Sequence, residues 1–148
     1  MKNQRMLDEL TELMRIDVSS GQEMEIADCL AAKLEQMGFS ITRDEAGATF
    51  GGVCGNVLAV REGERDSVVC FCSHMDRVPG GIGIKPVEED GILRSSGDTI
   101  LAADDLSGVV AILEGVRKNS PRIWSCDPGW ICRICLSKNQ YGSKRTCL

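Results

Sequence analysis

Between Lys2 and Ile16, apolar side chains fall at Met6, Leu7, Leu10, Leu13 and Met14, while Asp8, Glu9 and Glu12 face elsewhere. Spacings of three and four predict an amphipathic helix. After "IDVSSG", Ser20 and Glu23 have the spacing of a capping box, which predicts the start of a second helix. Its apolar face is Ile26, Ala27, Leu30, Leu34 and Met37, and Gly38 stands where a left-handed residue would end it.

The period then shortens to two. "FSITRDE" alternates Phe39 and Ile41 with polar neighbours, the pattern of a strand with one buried face. "NVLAV" (56–60) and "SVVCFC" (67–72) read as two further strands, the second apolar on both sides and so expected at the centre of a sheet, with Cys70 and Cys72 as buried small hydrophobes. Cys29 and Cys54 invite the same reading. Asp90-Gly91 between two extended segments predicts a hairpin turn. From Asp104 or Asp105, a cap residue in either case, helical spacing resumes through Val109, Val110, Ile112, Leu113 and Val116. Helices alternating with strands indicate an α/β layer structure.

Past Arg117 the periodicity fails, and charge changes with it. Residues 1–117 carry 11 basic and 21 acidic side chains, whereas 118–148 carry 6 and 1, together with both tryptophans, the tyrosine and four of eight cysteines. The chain therefore divides at 117 into an acidic α/β part and a basic tail of unrelated character, expected to be unstructured. An abrupt boundary of this kind is what a shifted reading frame would produce. Cys132 and Cys135 form a C-x-x-C pair flanked by Cys126 and Cys147, so a structural zinc held by the tail is an alternative to reduced, unordered thiols. The tail lacks a basic helix or stacking platform, and no nucleic-acid partner is expected. No apolar run approaches the roughly 20 residues of a membrane span, and the N-terminus lacks a secretory pattern. No membrane partner and a cytoplasmic location are the expectation.

The chain's one histidine, His74, follows the apolar run 67–72, with Asp76 two positions on. Imidazole at a strand end is a ready zinc ligand, and a nearby carboxylate commonly fixes its tautomer. In an extended segment, residues two apart share a side, so Asp76 can support His74 or ligate beside it. Asp104, at a helix start, could share two cations. A lone His-x-Asp is common, and an Asp-Asp pair at a helix start is ordinarily a cap, so spacing leaves both readings open.

The longer string "SHMDRVPGGIGIKPVEEDGILRSSGDTILAADDLSGVVAILEGV" resembles the dizinc aminopeptidase and carboxypeptidase superfamily that includes peptidase T, aminoacylase and acetylornithine deacetylase. Its "GDTILAADDLSG" is similar to the peptidase T-like tripeptidase branch and unlike the deacetylases, and the resemblance runs from about Met6 to Val116. It implies the N-terminal half of a three-layer zinc-exopeptidase domain with a central mixed sheet, and two zinc ions acting on short peptides. It further implies His74 as ligand of one ion, Asp76 as the catalytic-site residue steadying that imidazole, Asp104 as the bridging carboxylate, and a cis peptide between Asp104 and Asp105. Arg77, Ala102 and Leu106 depart from the usual Thr, Gly and Lys. The family's Glu-Glu pair on a later strand and its final histidine have no counterpart, since Asp127 is the last carboxylate side chain after Glu114. The lid domain, through which relatives often dimerise, is likewise missing. The resemblance therefore implies a truncated chain, inactive by itself or a non-catalytic remnant, with bare apolar surface beside strand 67–72.

Overall fold

The computed structural model describes residues 4–62, 67–118 and 130–137. The first helix, α1, spans Gln4–Met14 and the second, α2, Met24–Gln36. Helix α2 starts later than the capping-box spacing predicts. The chain turns at Gly21 (φ 92°), and the Glu23 carboxylate accepts the Gly21 N–H at 2.5 Å instead of reaching back to Ser20. At the other end the expected glycine is in place. Gly38 lies at φ 84°, its N–H bonding Glu35 O at 2.9 Å while Phe39 N–H bonds Leu34 O at 3.1 Å. These paired bonds satisfy carbonyls that the last turn leaves open.

Strands β1 (Ser40–Arg43), β2 (Val57–Arg61) and β3 (Ser67–His74) precede a hairpin of β4 (Pro86–Glu89) and β5 (Ile92–Ser95). Asp90 and Gly91, at φ 54° and 75°, form its two-residue turn as expected. Helix α3 (Ala103–Lys118) follows, and β6 (Trp130–Ser137) is the last described element.

Within the stretch expected to be unstructured, residues 130–137 form strand β6, and its other residues from 119 onward lie outside the described ones. Strand β6 lies inside the four-stranded sheet, in the order β1-β2-β6-β3, antiparallel to β2 and parallel to β3. "WICRICLS" is rich in the β-branched and aromatic residues that suit a pleated surface, and Leu136 enters the core at 1% exposure. Eight residues between charged, polar stretches are too few to register as a period when the segment is read as a cysteine cluster. The slot between β2 and β3 is thereby filled.

One face of the sheet carries the core. Val57, Ala59 and Leu136, which alternate with neighbours on the other face, pack with Leu13, Met14, Ile26, Leu30, Leu34, Val109 and Leu113 from the three helices. Strand β3 is at the sheet's edge among the described residues, not at its centre. Cys70 and Cys72 are exposed rather than buried, and Phe71 keeps 39% of its surface exposed. The apolar run on β3 is that of a strand covered on both sides, but no described element covers its second face. Cys54 is buried as expected and Cys29 is half-buried.

Helices α1 and α3 are joined by charge as well as by apolar contact. Glu9, placed by periodicity on the outer face, is buried, and the Arg117 guanidinium donates a fork to it at 2.8 and 3.1 Å. Glu114, also buried, accepts from both Nη2 and Nε of Arg5 at 2.7–3.1 Å and from Lys118 at 3.0 Å. Two carboxylates can be withdrawn from water here because each is matched by guanidinium forks.

Candidate metal centre

Strand β3 ends at His74, and the chain continues extended, so that alternate residues separate. Met75 and Arg77 are buried, while His74 and Asp76 share the opposite side. Arg77, one of the three departures from the family pattern, fastens the segment to α1. Its guanidinium donates to the carbonyls of Leu13 and Ile16 at 2.7 Å and of Gly81 at 3.2 Å. Leu13 lies in the last turn of α1 and Ile16 just beyond it, where helical bonding runs out.

Ser73, buried one residue before His74, ties β3 to α3. Its hydroxyl donates to Asp105 Oδ2 at 2.6 Å, and Asp105 Oδ1 accepts the Gly108 N–H at 3.1 Å. Asp105 is therefore the side chain that caps α3, settling the choice between the two aspartates. Gly108 leaves it room, since a Cβ there would overlap the Asp105 carboxylate. Asp104 is left outside the helical turn, at φ −93° and ψ 107°, and is joined to Asp105 by a cis peptide. Ala102, another departure, takes the left-handed conformation at φ 59°, where glycine is at ease.

These constraints bring together the three residues singled out from the sequence. His74 Nε2 lies 3.1 Å from Asp104 Oδ1, and His74 Nδ1 lies 3.2 Å from Asp76 Oδ1. The imidazole and Asp76 are 17% and 15% exposed, whereas the Asp104 side chain is 80% exposed. The cluster thus has a supported inner side and an open outer side. Burial pushes the Asp76 carboxyl above the usual carboxylate range; His74 opposes that rise and the charge of buried Glu23 adds to it.

Donors of one tetrahedral ion, each about 2.0–2.2 Å from it, stand roughly 3.3 Å apart. The 3.1 Å between His74 Nε2 and Asp104 Oδ1 fits that requirement. Asp76 at the other ring nitrogen fits the role of orienting carboxylate. Among the described residues, no group of three or more His, Cys, Asp or Glu side chains is placed to hold a metal ion. The donor set here is a pair with one support.

Of the tail cysteines, Cys132 and Cys135 lie on strand β6. Within β6, Cys132 is the register partner of Val69 and Cys135 of Cys72, so three positions of a strand separate them onto opposite faces. A C-x-x-C pair converges on one ion from a turn; a strand separates it. Cys126 and Cys147 lie outside the described residues.

Reading the sequence missed Ser73, the capping role of Asp105, and Glu23 as a buried neighbour of Asp76. Ser73 had a faint signal, a hydroxyl within an apolar strand. Glu23 was drawn instead toward a helix cap by its spacing from Ser20.

Two solved structures share this architecture. Aminopeptidase PepT from Bacillus cereus is similar at a TM-score of 0.82 and 31% identity, the match covering 90% of this chain and 36% of that one. A tripeptidase from Staphylococcus aureus gives 0.80 and 30%, with the same coverage. Among curated sequences, YqjE of Bacillus subtilis is 35% identical over 118 residues, which is 79% of this chain and 32% of YqjE. No family model matches. The chain spans about a third of the length of these relatives.

Proposed function

We infer that the chain belongs to the peptidase T-like branch of the dizinc peptidases, a reading supported by its likeness in fold and sequence to aminopeptidase PepT and to the tripeptidase. The reading is a zinc-dependent peptidase acting on short peptides from the N-terminus, for which these residues supply part of the metal centre. The observation that carries it is the placement of the His74 imidazole between Asp76 and Asp104 at 3.2 and 3.1 Å.

In this reading His74 Nε2 and Asp104 would hold metal. Asp76 keeps the ring oriented through Nδ1. Ser73 and Asp105 fix the distance between the end of β3 and the start of α3, and so the separation of the two donors. When bound, two zinc ions polarise a scissile carbonyl and lower the pKa of water toward neutrality. The Glu-Glu pair that the resemblance implies as the source of the base has no counterpart in this sequence. Its carboxylates after Glu114 are reduced to Asp127 and the C-terminus, and His74 is its single imidazole. A positioned proton acceptor contributes about 10²–10⁴-fold to such hydrolysis. The 148 residues alone are therefore expected to bind metal without turning over peptide.

Zinc content and tripeptide hydrolysis, measured on the purified chain and on His74→Ala, test this. Zinc uptake lost in His74→Ala, with no hydrolysis by either protein, supports the reading of a partial centre. Two zinc ions with hydrolysis supports the complete enzyme. Zinc uptake that survives His74→Ala and is lost in Cys132→Ser would move the site to the tail, and uptake by neither would leave a remnant.

A further inference from the structure

We propose that the edge of β3 is an interaction surface for a second copy of this chain, the two β3 strands pairing antiparallel across a two-fold axis. Among the described residues β3 is paired on one side only, with β6, and it is twice as long as β1 at the other edge of the sheet. In a parallel ladder, alternate residues turn their N–H and C=O groups away from the partner, so this edge offers a row of backbone donors and acceptors.

The two edges differ in kind. Strand β1 ends in Arg43, ion-paired with Asp28 at 2.6 Å, and a short strand carrying a charge is a poor template for further pairing. Residues 67–73 carry no charged side chain. Cys70 is exposed, and Phe71 keeps 39% of its surface in contact with water. Phe71 lies on the helix-bearing face, two residues before the buried Ser73 that bonds Asp105, so the helices stop short of this edge and leave room for a neighbour.

Charge and symmetry select the occupant. At a net charge of −5, two copies repel as wholes, and a contact between them is favoured where no charge stands, as on this strand. Antiparallel pairing continues the sheet, with helices on one face of both copies, only if opposite residues share a face. Because side chains alternate, the two-fold axis must set one residue opposite its own copy. With Cys70 at the axis, residues 67–73 pair with their copies, and Val69 falls opposite the partner's Phe71. A β-branched side chain against an aromatic one is a favourable cross-strand pair. A centre at Phe71 would instead draw His74, held by Asp76 and Asp104, into the ladder.

The test measures the mass of the full chain by light scattering over a concentration series, under reducing conditions, for the parent and for Cys70→Lys, Cys70→Glu and Thr42→Lys. The parent is expected to be a dimer that dissociates on dilution. In either Cys70 variant two like charges face each other across the axis, so each is monomeric, with an unfolding midpoint close to the parent's. An equal mixture of the two sets ammonium against carboxylate and restores the dimer, which a misfolded variant could not do. Thr42→Lys, on β1, leaves the dimer intact. A parent monomeric at every concentration, a dimer that survives in Cys70→Lys, a mixture that stays monomeric, or loss of the dimer in Thr42→Lys would each overturn the proposal.

Discussion

Ser137 lies directly opposite His74, as the last paired residues of the parallel strands β6 and β3. The strand that a sequence reading assigned to a foreign tail thus ends beside the imidazole on which the functional reading depends. A strand in that place could deliver acidic side chains to the residues proposed as metal donors. Here the chain continues Lys138-Asn139-Gln140, with no carboxylate.

If β6 is a working part of the fold, its core residue must matter. Leu136→Ala removes a side chain that is 1% exposed and packed with Val57, and a loss of about 2–5 kcal/mol is expected. Urea denaturation of the variant against the parent measures it. A silent substitution would return residues 130–137 to the status of a disordered tail.

The support behind the imidazole predicts a graded effect on metal affinity. Asp76→Asn keeps the size of the side chain while removing its charge from His74 Nδ1, and should weaken zinc binding about 10–100-fold. His74→Ala should abolish it. Competition with a chromophoric chelator measures both; equal loss in the two variants would make Asp76 a donor in its own right.

Arg77 acts through geometry that a point charge cannot reproduce. Its planar fork reaches carbonyls of Leu13, Ile16 and Gly81 in the interior. Arg77→Leu removes the guanidinium that these carbonyls share in the interior and should cost about 2–4 kcal/mol. Arg77→Lys should recover little of it, since one ammonium cannot serve three directions. Thermal or urea unfolding of the pair checks the ranking.

Glu114 predicts acid sensitivity. Hydrogen bonds from Arg5, opposed by burial and reinforced by Lys118, hold its carboxyl down to about 2. A carboxyl depressed in the folded state stabilises fully above its unfolded value near 4.5, and that contribution is lost as pH falls from there toward 2. Glu114→Gln should therefore flatten the decline of stability over that window, as read from urea midpoints at successive pH values, while leaving a lower stability at neutral pH.

Ala102 occupies a left-handed conformation and is buried. Ala102→Val adds a branched side chain where L residues are already strained and the core is full, for an expected loss of about 1–3 kcal/mol. Gly115→Val, at a half-buried helical position with open space where a Cβ would stand and no positive φ, should cost little by comparison. Melting temperatures of the two variants provide the check.

Much of this protein is decided by local pattern. The helical stripes of α1, α2 and α3, the Gly38 terminus, the Asp90-Gly91 turn and the placing of His74 at a strand end all follow from which side chains recur at which spacing and which backbones tolerate positive φ. Such features depend on neighbours a few residues away, so one sequence suffices to read them. The buried Glu9 and Glu114, the edge position of β3 and the insertion of β6 between β2 and β3 were decided only by tertiary structure. Each joins residues more than sixty positions apart, and burial of a charge or a strand face is settled by whatever distant partner arrives to satisfy it.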